Sequence, residues 1–229
     1  MRKNIFVALD FSNFDKALDV ANSVKDHAAG IKITNELFSI IGKEGLQKIS
    51  NFGLDIFLDL KLLDVPNTVK KTVASIDSLK TVKYLTVHTS GGYDMLKSAN
   101  EAAKVLELLG VTILTSQSAS KEQVLTLANL AIKSGIKGVI SSAQEYESVR
   151  SLSKDLKIFC PGIRDVKGNK HDQKRTKSYS EFCDMSKNDS KVYCVIGRPI
   201  YESGDAGQNI KKIIPVSYTQ LTLPTNREE

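Results

Sequence analysis

Eight short runs of apolar and β-branched residues recur along this chain, at 5–10, 30–33, 54–61, 84–89, 111–116, 138–141, 157–162 and 193–198. Segments of helical period separate most of them. The first carries Phe14, Ala17, Leu18, Ala21 and Val24, with Ser12 and Asp15 as a capping box. Another carries Val69, Val73, Ile76 and Leu79 behind Pro66, where proline is tolerated at a helix start. A third carries Val124, Leu127, Ala128 and Ala131, with Ser120 and Gln123 as its box. Strand followed by helix, repeated, argues for a parallel sheet with helices outside it. Eight such units predict an α/β chain folded as one (β/α)8 TIM barrel over residues 1–214. An open doubly wound sheet is the alternative. The turn after the first run reads Asp10-Phe11-Ser12-Asn13, without GxGxxG, which disfavours dinucleotide binding.

The remaining stretch departs from this pattern. Ile210 to Ile214 reads as a final helix stopped by Pro215. Residues 215–229 are rich in Thr, lack helical period, and are expected to lie outside the native fold.

Charge and cysteine usage narrow the class. The net charge of +6 raises the question of nucleic acid. Much of the excess sits at Lys167, Lys170, Lys174, Arg175 and Lys177, a local basic loop that suits a small anion. No aromatic residues interleave with it to stack bases, so no nucleic-acid partner is expected. The three cysteines, Cys160, Cys183 and Cys194, show no CxxC spacing, which argues against a disulfide framework or a zinc site. Cys160 and Cys194 lie in apolar runs and read as small core residues. No apolar run reaches the roughly 18 residues that span a bilayer, and Met1-Arg2-Lys3-Asn4 leads directly into the first strand. A cytoplasmic protein without a membrane partner is expected.

The chemistry concentrates in Asp59-Leu60-Lys61-Leu62-Leu63-Asp64-Val65-Pro66-Asn67-Thr68. Side chains alternate faces along a strand. Asp59 and Lys61 therefore share one face, while Ile56, Leu58 and Leu60 share the other. A buried charge is costly unless paired or used in chemistry. Charges at the carboxyl end of an apolar strand mark the end of a barrel where active sites lie.

Other polar groups collect at the same rim. Asp10 closes the first run, Lys32 lies in the second, His88 is near the end of the fourth, and Thr115 and Ser116 close the fifth. Pro161-Gly162-Ile163-Arg164 closes the seventh, and Gly197-Arg198 the eighth. Each has a plainer reading: a helix cap for Asp10, an edge lysine for Lys32, a core histidine for His88, turn residues for Thr115 and Ser116, surface ion pairs for the arginines. Their convergence on one rim favours function. Barrels often bind phosphate through the loops after strands 7 and 8. Arg164, Gln173, Gly197 and Arg198 lie in those loops, Gly197 allowing close backbone approach and Arg198 offering a forked donor. The polar loop at 165–178 reads as a lid.

With these residues in hand, the chain resembles the orotidine 5′-monophosphate decarboxylase family. Residues 59–68 look like its D-x-K-x-x-D-[IV]-P-N-T signature. Val7-Ala8-Leu9-Asp10, Thr86-Val87-His88-Thr89-Ser90-Gly91-Gly92, Leu114-Thr115-Ser116, Pro161-Gly162-Ile163-Arg164, Asp172-Gln173-Lys174-Arg175 and Val195-Ile196-Gly197-Arg198-Pro199 follow in the family's order. The bare D-x-K-x-x-D core is shared with related sugar-phosphate decarboxylases and aldolases. The resemblance implies that Lys61 protonates C6 of the pyrimidine and that Asp59 lies near the substrate carboxylate. It implies a homodimer in which Asp64 and Thr68, beside Asn67, are offered to the neighbouring site. Asp10 and Lys32 would contact the ribose, with Lys32 extending the charge array. Thr115 or Ser116 would contact the pyrimidine. Arg164, Gln173, Gly197 and Arg198 would lie on the phosphate side, and Pro161 would be among the substrate-binding residues. No cofactor and no metal are implied. Asp165 stands where the family commonly has proline, and residues 179–191 are unusually polar for the seventh helix.

The physical demand of that reaction is severe. Loss of CO2 from C6 leaves an electron pair in an sp2 orbital that the ring π-system does not delocalise. Many decarboxylases use a cofactor as electron sink; no signal for one is present here. Electrostatics and positioning must then suffice, with Lys61 as the cation and Asp59 and Asp64 as its anions. One rival is a relative that uses Mg2+ on a keto-sugar phosphate. A second is a non-enzymatic phosphate- or nucleic-acid-binding barrel.

Overall fold

The structure is a computed structural model that describes residues 4–114, 116–118, 120–163 and 177–214. Eight parallel strands close on themselves in chain order: β1 (Ile5–Leu9), β2 (Gly30–Thr34), β3 (Asp55–Leu62), β4 (Val82–His88), β5 (Glu107–Val111), β6 (Gly138–Ile140), β7 (Lys157–Pro161) and β8 (Val192–Ile196). The helices between them are α1 (Phe14–Val24), α2 (Asn35–Ser50), α3 (Pro66–Asp77), α4 (Gly92–Ala102), α5 (Lys121–Lys133) and α6 (Tyr146–Arg150). After β7 come α7 (Tyr179–Ser186), α8 (Arg198–Tyr201) and α9 (Ala206–Ile213), α8 and α9 both following β8. The chain is the expected (β/α)8 barrel. Among the described residues no helix is long and apolar enough to cross a membrane.

Two apolar layers result from the period of two along each strand. Outward residues such as Val7, Ile31, Ile56, Leu58, Leu85 and Val139 pack beneath the helices. Leu60 joins them, as the alternation predicts. Inward residues Phe6, Ala8, Phe57, Tyr84, Leu109, Phe159 and Val195 form a separate core inside the barrel. Phe159 lies at its centre, with ring centroids 5.2 Å from Phe6, 5.4 Å from Phe57, 5.0 Å from Tyr84 and 4.7 Å from Tyr193. Below these rings, at the amino ends of the strands, Lys157 Nζ lies 2.6 Å from Glu107 and 5.3 Å from the Tyr84 ring centroid. Tyr84 lies in this lower layer, where burial first, with Tyr193 and Glu107, pushes its phenol up. The barrel is thus a packed plug with its polar opening at one end.

Several local expectations hold. Ser120 and Gln123 form the reciprocal capping box of α5, Pro66 occupies the first turn of α3, and Cys160 and Cys194 are fully buried free thiols. Three need correction. The cap of α1 is Asn13, whose side chain accepts from Lys16 N at 2.9 Å, not Ser12. The last helix begins at Ala206, capped by Asp205, well before Ile210. The fifth strand is Glu107–Val111 rather than 111–116. Sequence preference placed it on the β-branched Val111, Thr112 and Ile113, but pairing decides: Tyr84 meets Glu107 and His88 meets Val111. Gly110 then faces outward, where a Cβ would lie 2.8 Å from Thr89 Cγ2 and 3.1 Å from Ala131 Cβ, so its missing side chain lets α5 pack close. The proposed tail, 215–229, lies outside the described residues.

Because Phe159 touches rings from several strands, Phe159→Ala should lower stability by about 3–5 kcal/mol. Chemical denaturation of the two proteins, compared at equal slope, checks this value.

Candidate active site

The inward positions that are aromatic at the barrel's middle become charged one step further along the strands. On β1 the sequence Phe6, Ala8 leads to Asp10; on β3 Phe57 leads to Asp59 and Lys61; on β4 Tyr84 leads to Thr86 and His88. Lys32 is the inward residue of β2, paired with Ala8 on one side and Phe57 on the other. The result is a continuous charged row. Asp10 Oδ1 is 3.1 Å from Lys32 Nζ, Lys32 Nζ is 3.5 Å from Asp59 Oδ2, and Asp59 Oδ2 is 2.7 Å from Lys61 Nζ. Signs alternate along it, so each inner charge faces opposite neighbours. Asp59 is buried, its side chain 9% exposed, whereas Lys61 keeps 36% and reaches toward the opening.

Asp59 resolves two opposed effects. Burial pushes its carboxyl up; the Lys32 and Lys61 ammoniums, with hydrogen bonds from Lys61 and Thr86, outweigh this and hold it below the ordinary carboxylate range. His88 closes β4 half-buried, and burial first, then Lys61, lowers its imidazole against the opposing pull of Asp59.

A cavity of about 260 Å3 opens above the aromatic core. Asp10, Lys32, Asp59 and Lys61 line one wall. Ile113, Leu114, Ile140 and Ser141 line it after β5 and β6, and Pro161, Gly162, Gly197, Arg198 and Pro199 line it at the ends of β7 and β8, where the barrel closes back on β1. The cavity is therefore ringed by a charged row, an apolar strip and an arginine, and the β8 end meets the charged row again at Asp10. Among the described residues no carboxylate forms an ion pair with Arg198. Gly197 sits where a Cβ would lie 3.1 Å from Asp10 Oδ2 and 3.3 Å from the Ala8 carbonyl, so a side chain there would crowd the mouth between β8 and β1.

Seven of the expected residues thus meet around one cavity: Asp10, Lys32, Asp59, Lys61, Pro161, Gly197 and Arg198. Asp64, Asn67 and Thr68 do not line it; they are exposed around the start of α3, with Asp64 Oδ1 accepting from Val65 N at 2.6 Å. Among the described residues of one chain, Asp59 alone forms an ion pair with Lys61. Ser116 sits in an exposed turn beyond β5, away from the cavity lining. Thr115, Arg164 and Gln173, with most of the expected lid, lie outside the described residues. Sequence reasoning missed Thr86 as an individual, although it lies two residues from Tyr84 and so shares the inward face. It also missed Ile113 and Leu114, because the fifth strand was placed several residues late, and Ser141, which follows β6 with no charge to single it out. Among the described residues no group of three or more His, Cys, Asp and Glu side chains is arranged to hold a metal ion.

The model of the orotidine 5′-phosphate decarboxylase / HUMPS family matches residues 3–213. The chain belongs to that family. It is 40% identical over 224 residues to the orotidine 5′-phosphate decarboxylase of Wolbachia pipientis subsp. Culex pipiens, covering 92% of this chain and 96% of that one. It is 38% identical to the corresponding protein of Ehrlichia chaffeensis, covering 92% and 95%. Among solved structures, orotidine 5′-phosphate decarboxylase from Lactobacillus acidophilus superposes with a TM-score of 0.76 at 31% identity, covering 93% and 97%. The family's carboxy-lyase members thus share both the barrel and the length of this chain.

Since the folded state holds Asp59 below its ordinary value, Asp59 adds stability above about pH 4 that is lost as pH falls through its lowered value. The stability advantage of the wild type over Asp59→Asn should therefore be largest at neutral pH and shrink below about pH 4. Urea unfolding across that range tests this; an advantage that grows on acidification contradicts it.

Proposed function

We propose that this chain decarboxylates orotidine 5′-monophosphate to UMP and CO2 without a cofactor, in de novo pyrimidine synthesis. The observation that carries the reading is the Lys61–Asp59 pair at the wall of a cavity that Arg198 also lines. Membership of the decarboxylase family supports it. The pyrimidine would lie against the apolar strip of Ile113, Leu114 and Ile140, with Asp10 and Lys32 toward the ribose. Arg198 and the backbone at Gly197 would hold the phosphate.

In this orientation C6 faces Lys61. Cleavage of the C6–carboxylate bond leaves its electron pair on C6, and CO2 departs. The ammonium stabilises that pair as it develops and then transfers a proton to it, giving UMP; solvent restores the proton to Lys61. Asp59 holds the ammonium in place and faces the departing carboxylate. A preorganised donor of this kind is typically worth a factor of about 10² to 10³ in turnover. Phosphate binding at Arg198 supplies the remaining orientation.

The active unit in this reading is a homodimer. Asp64 and Thr68 are exposed, and Leu63 and Val65 beside them are large exposed apolar residues, 57% and 63% accessible. Tyr93 adds a third. A second copy seated there would cover the apolar side chains and bring its own Asp64 toward this cavity.

Incubation with orotidine 5′-monophosphate, followed by loss of the orotate chromophore, is the direct test. Turnover should be unchanged by a chelator; loss of activity with EDTA would favour a metal-dependent relative. Lys61→Ala should reduce turnover on the order of 10³-fold or more while the fold survives. Arg198→Ala should act mainly on KM, by about 1.5–3 kcal/mol, and unchanged kinetics would remove Arg198 from the site.

A further inference from the structure

Lys61 stands on an irregular piece of strand. Between β3 and β4, Leu58 pairs with Leu85, yet the next pair is Leu62 with Val87, so β3 inserts extra residues there. Such bulges re-aim side chains. Lys61 itself has φ +49°, in the left-handed region that a non-glycine residue adopts at a cost. Something must hold this conformation, and a fully buried side chain does so. The backbone N–H of Lys61 donates to Thr86 Oγ1 at 2.8 Å. The same hydroxyl donates to Asp59 Oδ1 at 2.9 Å. Thr86 is 0% exposed.

A hydroxyl has one proton to give and lone pairs to accept with. Thr86 uses both, and the two uses are linked. Its proton goes to one oxygen of Asp59, whose other oxygen binds Lys61 Nζ at 2.7 Å. A closed circuit results: Lys61 main chain, Thr86 hydroxyl, Asp59 carboxylate, Lys61 ammonium. We propose that Thr86 is a positioning residue for the decarboxylation, holding the Lys61 bulge and the Asp59 carboxylate in the one relative geometry that aims the ammonium into the cavity. It touches no substrate; it acts through Lys61 and Asp59, and so rests on the reading of Lys61 as the group at the reacting carbon.

Threonine and valine have nearly the same shape, so Thr86→Val removes the hydroxyl and keeps the volume. Misplacement of a reacting group by about 1 Å costs on the order of 10²-fold. The expected result is a fall in kcat of roughly 10- to 100-fold with KM changed little. The acid limb of the kcat profile should also move to higher pH, because Asp59 loses a bond that favours its charged form. Thr86→Ser keeps the hydroxyl and should retain kcat within a few-fold. Circular dichroism and UMP binding establish that each variant is folded with an intact cavity. Wild-type kcat in Thr86→Val overturns the proposal, as does a fall in KM-side affinity without a fall in kcat. If the valine variant does not fold, the serine variant decides alone: near-wild-type kcat supports the role of the hydroxyl, and a tenfold loss overturns it. Lys61→Ala in the same assay separates the two readings, since activity there would defeat the role of Lys61 whatever Thr86 does.

Discussion

The geometry at this barrel's mouth depends on one buried anion held between two cations. Asp59 is nearly sealed from water, and a lone carboxylate there would bear a large desolvation cost. Lys32 on one side and Lys61 on the other offset it. Their arrangement also explains why Lys61 can stay partly exposed: it is anchored from below by Asp59 and from its own backbone by Thr86. The ammonium is therefore fixed in direction while its front remains open to the cavity. A group that must meet developing charge without reorganising needs this combination.

The aromatic core beneath provides the low floor on which the charges sit. Phe6, Phe57, Tyr84, Phe159 and Tyr193 pack inside the barrel beneath the charged row. The same alternation that turns Phe57 inward turns Asp59 and Lys61 inward two and four residues later. Fold and site are thus one pattern read along a strand. Membership of the orotidine 5′-phosphate decarboxylase / HUMPS family is consistent with that economy, since the matched region spans nearly all of the described barrel.

Much of this was legible before the structure. The apolar runs and the helical spacing identified the barrel, and the alternation Asp59, Lys61 against Ile56, Leu58, Leu60 assigned their faces correctly. The fifth strand failed for a definite reason. Residues 106–114 are apolar almost throughout, with β-branched residues late in the run, so local preference favoured the later half. The ladders to β4 and β6 chose the earlier half and left Ile113 and Leu114 to line the cavity. Ser12 and Asn13 are both capping residues, and only the chain's path after β1 selected Asn13.

The sequence by itself determined which residues are charged, which face of a strand each occupies, and how many strand–helix units exist. Those follow from residue chemistry and from periods of two and 3.6, which are local. Tertiary structure alone decided that Asp10, Lys32, Asp59 and Lys61 form one alternating row, that Asp64 stands apart from it, and that Thr86 ties the Lys61 backbone to Asp59. These depend on inter-strand register and on a bulge, and a hydrogen bond between residues 25 positions apart leaves no periodic trace in a chain.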